Sequence, residues 1–215
     1  MCLIGYGAVL LRAFMIDPGS VTHIVAAMEQ PTKGREEVVR LEEEIAQLKA
    51  ELVKARAALQ SEPIDEYMFE TPGGAVSLSD LFGDKDKLLV VHNMGRGCAY
   101  CTLWADGFVG MLPHIETAAS FVIVSPDDPA TQASFAASRS WPFRMASDQS
   151  HAFTRAAGYR TDTHVMPGVS AFVKDADGRI YRTSHTRFGP GDDFSPIWHM
   201  WDLFGGAAGD WRPRV

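Results

Sequence analysis

Leu88-Leu-Val-Val-His92, followed by Asn93-Met-Gly-Arg-Gly97 and Cys98-Ala-Tyr-Cys101, decides how this chain is read. A short continuous apolar run suits a strand buried on both faces of a sheet. Gly95, Arg96 and Gly97 make a loop, and the segment from Cys98 to about Thr117 reads as a helix. Unpaired backbone N–H groups and the macrodipole put partial positive charge at a helix N-terminus. A thiolate placed there is stabilised, and its pKa falls below the free value of about 8.5. Arg96, close in sequence, is expected to add to the effect. Cys101 sits one helical turn on, where it can reach back, close a small disulfide and release a product. Cys98 is therefore the expected nucleophile and Cys101 the expected resolving thiol.

Outward from this stretch, strands and helices alternate. Tyr67-Met-Phe-Glu, Thr71-Pro-Gly-Gly and Ala75-Val-Ser-Leu read as a hairpin. Phe121 to Ser125 is a second buried strand. Asp127, Asp128 and Pro129 start a helix with Phe135 on its apolar face, and Trp141 to Met145 is a short extended piece. Asp148 caps a helix running to Gly158. Strands over Val169 to Val173 and Ile180 to Thr183 flank the turn Asp175 to Gly178. A last amphipathic helix, Asp193 to Phe204, carries Ile197, Trp198, Trp201 and Phe204. The pattern predicts an α/β mixed sheet with helices on both faces. It divides the chain into a poorly ordered extension over 1–30, a helix over 32–61, the main domain over 62–205 and a loose tail over 206–215.

Ahead of the domain, Lys33 to Arg56 holds six basic and six acidic residues. Val38, Leu41, Ile45, Leu48, Leu52, Ala55 and Leu59 recur at alternating spacings of three and four, a coiled-coil seam over three heptads. In a parallel pair Glu44 would face Lys49 and Glu51 would face Arg56, while Glu37 against Glu42 breaks the pattern. The two readings are a homodimer through residues 38–59 and a long amphipathic helix laid across its own domain with a solvated charged face.

Composition narrows the function. The 215 residues allow one sizeable domain plus an appendage. A net charge of −7 disfavours a duplex nucleic-acid binder. No run reaches the roughly 18 apolar residues of a membrane span. Nucleic acid and membrane are thus not expected partners. Met1 to Ile16 is apolar, but Arg12 interrupts it, no cationic segment precedes it and no A-x-A site ends it, so a secretory signal is not expected. Cys2 is set aside with that extension. Three cysteines are too few for a disulfide scaffold, and a cytoplasmic location would keep them reduced.

Two features would support the cysteine pair. Met166-Pro167-Gly168 fits the cis-proline that lies against a Cys-x-x-Cys in thioredoxin folds, since only X-Pro bonds adopt cis at low cost. His92, ending the preceding strand, and Asp106, on the same helix, are candidates to relay protons. Blander readings stay open: half of a zinc site, which lacks two further ligands at sensible spacing, or two small core residues. No metal or cofactor is expected. His164, His185 and His199 suit ordinary hydrogen bonds. Trp104, Trp141, Trp198 and Trp201 suit a core. Ser125 lacks a nucleophile-elbow context, which argues against a hydrolase.

His92-Asn-Met-Gly-Arg-Gly-Cys-Ala-Tyr-Cys-Thr-Leu-Trp-Ala-Asp-Gly-Phe108 resembles the signature of a bacterial thioredoxin-like family catalogued as domain of unknown function 899. Pro167-Gly-Val-Ser-Ala-Phe-Val-Lys-Asp175 and Tyr181-Arg-Thr-Ser-His-Thr-Arg-Phe-Gly189 are similar to its C-terminal signature, and the resemblance covers roughly Thr32 to Leu203. It implies a thioredoxin-like three-layer sandwich with a mixed central sheet, preceded by the long heptad helix and related in layout to peroxiredoxins. It implies a thiol redox role, with a disulfide or peroxide substrate and a cellular thiol reductant. The peroxidatic pattern Pro-x-x-x-Thr-x-x-Cys is absent, because Gly95 stands three before Cys98 and Cys98 itself three before Cys101. Disulfide exchange is therefore favoured over peroxidase activity, with a non-catalytic dimeric scaffold as the other alternative. Arg187 is a candidate counterpart of the peroxiredoxin active-site arginine.

Overall fold

The structure, a computed structural model, describes residues 33–205, 209 and 211–215. The expected N-terminal extension, Cys2 included, lies outside the described residues, as do 206–208 and 210 of the expected tail. The chain divides after Lys54 into two compact units. Helix α1 (Lys33–Ala57) occupies the first and crosses the division. Its seam residues Val38, Leu41, Ile45, Leu48 and Leu52 are all exposed. Arg40 pairs with Glu37 and Glu44 one turn away on either side. The helix stops at Ala57, so Leu59, the last expected seam position, falls in the turn beyond it.

The second unit is built on one mixed sheet of eight strands. These are β1 (Glu62–Pro63), β2 (Met68–Thr71), β3 (Gly74–Ser77), β4 (Lys87–His92), β5 (Ser120–Ser125), β6 (Arg144–Ser147), β7 (Gly168–Lys174) and β8 (Ile180–Arg187), in spatial order β1-β8-β7-β4-β5-β6-β2-β3. β4, β5 and β6 run parallel, and the remaining pairings are antiparallel. The parallel strands are joined by helices α2 (Ala99–Val109), α3 (Leu112–Ile115) and α4 (Pro129–Arg139), as parallel strands require. Helices α5 (Ala152–Ala156) and α6 (Ile197–Asp202) complete the described α-helices, and a 3₁₀ turn spans Asp80–Phe82.

The strand period of two sorts the core into two layers. Leu88 and Val90 of β4, with Val122 and Val124 of β5, pack with Phe69, Phe82, Phe153 and Phe172. Val91, Phe121 and Ile123 point the other way, onto Trp104 and Phe108 of α2 and onto Trp141 and Trp198. Helices therefore cover both faces of the sheet, as expected. The helix expected from Cys98 to Thr117 is broken in two. Pro113 has no N–H to continue α2, but the first turn of a new helix tolerates it. Asp148 acts from ahead of α5 rather than as its N-cap, accepting from the Thr154 N–H at 2.8 Å and its hydroxyl at 2.7 Å.

One close approach fixes how β4, β7 and β8 meet. Gly168 pairs with His92 on one side and Arg187 on the other. A Cβ at this position would stand 2.3 Å from Tyr159 Cε1 and 2.4 Å from the Thr186 carbonyl oxygen. Only glycine leaves room for the Tyr159 ring, whose hydroxyl lies 2.8 Å from the Val169 carbonyl oxygen and 2.9 Å from that of Thr186.

His92, two residues beyond Val90, belongs to the Phe153 face of the sheet. It is 2% exposed. Its ring stacks on Tyr159 at 3.8 Å and on Phe153 at 5.4 Å. Nε2 lies 3.0 Å from Ser170 Oγ, and Nδ1 has no partner among the described residues. Burial, with Arg182 and His185 nearby, pushes its pKa down to about 3. The folded state thus holds His92 neutral where the unfolded chain protonates it near pH 6.5. The stability it contributes is complete above pH 6.5 and is lost progressively as pH falls from there toward 3. Urea unfolding of the wild type should lose about 1.4 kcal/mol per pH unit more than that of His92→Leu between pH 6 and 4. Parallel pH profiles would contradict the buried neutral imidazole.

Candidate active site at the Cys98–Cys101 pair

The loop after β4 is shaped by its own backbone and by the neighbouring parallel strand. Asn93 N–H donates to the Val124 carbonyl at 2.9 Å, which ends β4 in register with β5. The Asn93 side chain then accepts from Gly95 N–H at 2.7 Å. Gly95 adopts φ +107°, a conformation that suits glycine. Asp127, in the loop after β5, accepts from Arg96 N–H at 2.7 Å. A Cβ on Gly95 would stand 3.3 Å from both oxygens of that carboxylate. Cys98 N–H donates to the Gly95 carbonyl at 3.0 Å, and α2 begins.

Cys98 is the N-cap of α2. Its Sγ accepts from Cys101 N–H at 3.1 Å, a capping bond normally made by an oxygen. Thr102 closes the first turn by donating both N–H, at 3.0 Å, and Oγ1, at 3.1 Å, to the Cys98 carbonyl. Both thiols are free of a disulfide; Cys98 is half-buried and Cys101 buried. The Cys101 thiol hydrogen-bonds to Cys98, and the amides of Cys101 and Tyr100 add to it. Against the opposing effect of burial, these pull the Cys98 thiol down to about 7. Cys101 is pushed up, first because its proton is held by Cys98 and then by burial and the nearby negative charge. Near neutral pH the more exposed sulfur is thus substantially ionised, while Cys101 keeps its proton. Met94 N–H donates to Cys101 Sγ at 3.4 Å, which ties the buried sulfur to the loop after β4.

The other expected site residues divide. Pro167 is buried at the same end of the sheet, next to Gly168, which pairs with His92 at the start of the cysteine loop. The Met166–Pro167 bond is not cis, as no described peptide bond is. In place of that expectation, the Pro167 carbonyl accepts from Phe188 N–H at 2.9 Å, extending the β7–β8 pairing by one residue. Arg96 is fixed through its backbone and is not among the groups that lower the Cys98 thiol. Asp106 is engaged by Arg139, with Nε at 3.1 Å, and by the Trp141 indole N–H at 2.8 Å, so it ties α2 to the end of α4 instead of serving a proton. His92 faces the opposite side of the sheet from α2, against Phe153 and Tyr159. Arg187 ends β8 in an exposed position opposite Gly168. Among the described residues no group of three or more His, Cys, Asp or Glu could hold a metal ion, and no helix is long and apolar enough to cross a membrane.

Two contributors escape a reading of the sequence. Asp127 looked like part of a helix start, yet Asp128 alone caps α4, through Thr131 N–H at 2.9 Å. The leftover acid in Asp127-Asp128 was the available signal. The other is a cleft of about 360 Å³ beside Tyr100, the residue between the cysteines, walled by Trp198, Trp201, Asp202, Trp211 and Arg212. Trp211, in the stretch expected to be loose, packs against Trp198 at 5.9 Å and Trp201 at 5.8 Å.

Comparison with solved structures places the fold. The chain is similar to reduced Prx3 from Vibrio vulnificus, with 15% identity and a TM-score of 0.52 over 68% of this chain and 98% of that one. It is similar to the same protein in complex with H₂O₂, with 16% identity and a TM-score of 0.50 over the same shares. Peroxidoxin BcpB from Mycobacterium tuberculosis matches at 23% identity and a TM-score of 0.46, over 56% of this chain and 80% of that one. At such identities the likeness establishes a thioredoxin-like fold and nothing of activity. No curated protein matches the chain. A family model described as "Bacterial protein of unknown function (DUF899)" matches residues 20–207, and the chain belongs to that family.

Proposed function

We propose that the protein is a thiol–disulfide oxidoreductase in which Cys98 is the nucleophile and Cys101 the resolving thiol. The observation that carries this reading is the division of labour within the pair. Cys98 is half-buried with its thiol lowered to about 7, whereas Cys101 is buried with its thiol raised. The Cys98 thiolate attacks a substrate disulfide, forming a mixed disulfide and expelling one substrate thiolate. Attack removes the negative charge that kept Cys101 protonated, so Cys101 can release its proton. Its thiolate attacks Cys98 Sγ, closes the Cys98–Cys101 bond and frees the second substrate thiol. The protein gives up two electrons, and a cellular dithiol reductant restores it. A reducing cytoplasm would supply that reductant. Prx3 from Vibrio vulnificus, solved in complex with H₂O₂, shares the fold, but the absent peroxidatic pattern leaves peroxide the weaker substrate.

In this reading neither Pro167 nor Arg96 takes part in bond making. Reduction of insulin disulfides in the presence of a dithiol should be accelerated by the wild type and fall by about 10²-fold or more in Cys98→Ser. Cys101→Ser should stall as a covalent Cys98 adduct visible by mass spectrometry. Equal rates for wild type and Cys98→Ser would reject the assignment.

The exposed seam of α1 supports a homodimer through residues 38–59. Apolar residues at heptad spacing on a solvated helix are the pattern that a second helix buries, and Glu44–Lys49 and Glu51–Arg56 would set a parallel register. Light scattering should give twice the monomer mass for the wild type and the monomer mass for the Ile45→Asp, Leu52→Asp double variant. An identical mass for both would reject a dimer through this seam.

A further inference from the structure

We propose that the cleft beside Tyr100 is the substrate subsite, and that it takes a small disulfide whose non-reacting part is a planar aromatic group bearing a carboxylate. The proposal rests on the oxidoreductase reading and names the substrate class for that same site.

Position comes first. Tyr100, two residues after Cys98 and one before Cys101, lines the cleft, so the cleft adjoins the first turn of α2, the turn that Cys98 caps. At about 360 Å³ the cleft is at the small end of ligand pockets, which run to roughly 1,000 Å³, and it suits a small molecule better than a folded protein segment.

The walls specify shape. Tyr100 stacks with Trp198 at 6.1 Å and 25° between planes, Trp211 stands edge-on to Trp198 at 5.9 Å, and Trp201 meets Trp211 at 5.8 Å. Flat aromatic faces on several sides favour a flat apolar ligand, which can stack or present its edge.

Polarity specifies charge. Elsewhere in the domain, indole N–H groups have acceptors: Trp104 donates to Asp192 at 3.3 Å and Trp141 to Asp106 at 2.8 Å. Trp198 and Trp201, both in the cleft wall, have buried indole nitrogens with no acceptor among the described residues, and Trp198 is only 8% exposed. Arg212 adds a guanidinium to the same wall. The one acidic group there, Asp202, faces His199 at 3.9 Å. The two unpartnered indole N–H groups lack an acceptor that a ligand carboxylate would supply, the indoles shifting to meet it, with Arg212 as its counter-charge.

The reaction balances within the protein and substrate. One substrate S–S bond is broken as Cys98 forms a bond to one of its sulfurs, and the other sulfur departs as an aryl thiolate. Closure of Cys98–Cys101 releases the second aryl thiolate, and the Cys101 proton passes to solvent or to the departing thiolate.

Two measurements on the full-length reduced chain separate this inference from the oxidoreductase reading. The first is calorimetric titration with naphthoate, a flat carboxylate that has no sulfur. It should bind saturably with a dissociation constant below about 1 mM, weakened about tenfold in Trp201→Ala and in the exposed-site variant Arg212→Gln. The second compares reduction of dithiobis-nitrobenzoate with that of hydroxyethyl disulfide. The ratio of their kcat/KM values should fall at least about fivefold in both variants. No saturable naphthoate binding, or binding and ratios unchanged in both variants, would overturn the subsite even if both disulfides are reduced. Saturable naphthoate binding with neither disulfide reduced by the wild type would overturn the oxidoreductase reading and, with it, the cleft's role as a substrate site.

Discussion

The arrangement depends on the hydrogen bonds that converge on one sulfur. At the start of α2, Cys98 Sγ receives the Cys101 thiol, the Cys101 N–H and the Tyr100 N–H, the amides being those that a helix N-terminus leaves without intrahelical partners. A cysteine in the capping position turns that ordinary structural need into chemistry, because the form of the side chain that best accepts these bonds is the thiolate. The thiol's own bond to Cys98, with burial and the nearby charge, keeps Cys101 protonated. Nucleophile and resolving thiol are therefore distinguished by geometry, although they are the same residue type three positions apart.

The rest of the domain serves to hold that helix start in place. β4 delivers the loop, β5 fixes its first residue through Asn93, and Asp127 clamps Arg96 from the adjacent loop. The ends of parallel strands are where an α/β sheet leaves room for a site, and the cysteine pair lies at such an end. Behind it, the sheet separates two environments. Aromatic and apolar groups of α2 and α6 lie on the cysteine side, and His92, Ser170 and Tyr159 form a buried polar patch on the other. Gly168 lets that patch close, since a side chain there would meet Tyr159.

Much of the fold was legible because local signals agreed. The apolar runs of β4 and β5, the Thr71-Pro-Gly-Gly turn and the Gly95–Gly97 loop each point to one conformation, and the Cys-x-x-Cys spacing places both thiols in one helical turn. What was not legible depended on tertiary placement. His92 and Asp106 are near Cys98 in sequence, but strand alternation sends His92 to the far face and Arg139 and Trp141 occupy Asp106. Arg96 is held through its backbone N–H on Asp127, and no composition rule tells a backbone role from a charge role. The geometry at Pro167 follows from how β7 meets β8. Trp211 reads as tail until the partners that hold it, Trp198 and Trp201, are located.

The account stands on the ionisation of Cys98, and residue-resolved alkylation is its most direct test. Iodoacetamide modification of the reduced chain, followed at Cys98 by mass spectrometry across pH 5 to 10, should rise with a midpoint near 7. In Cys101→Ala, which removes the donated thiol proton, that midpoint should move upward. A wild-type midpoint at the free-thiol value of about 8.5 or above, unmoved by the substitution, would contradict the account.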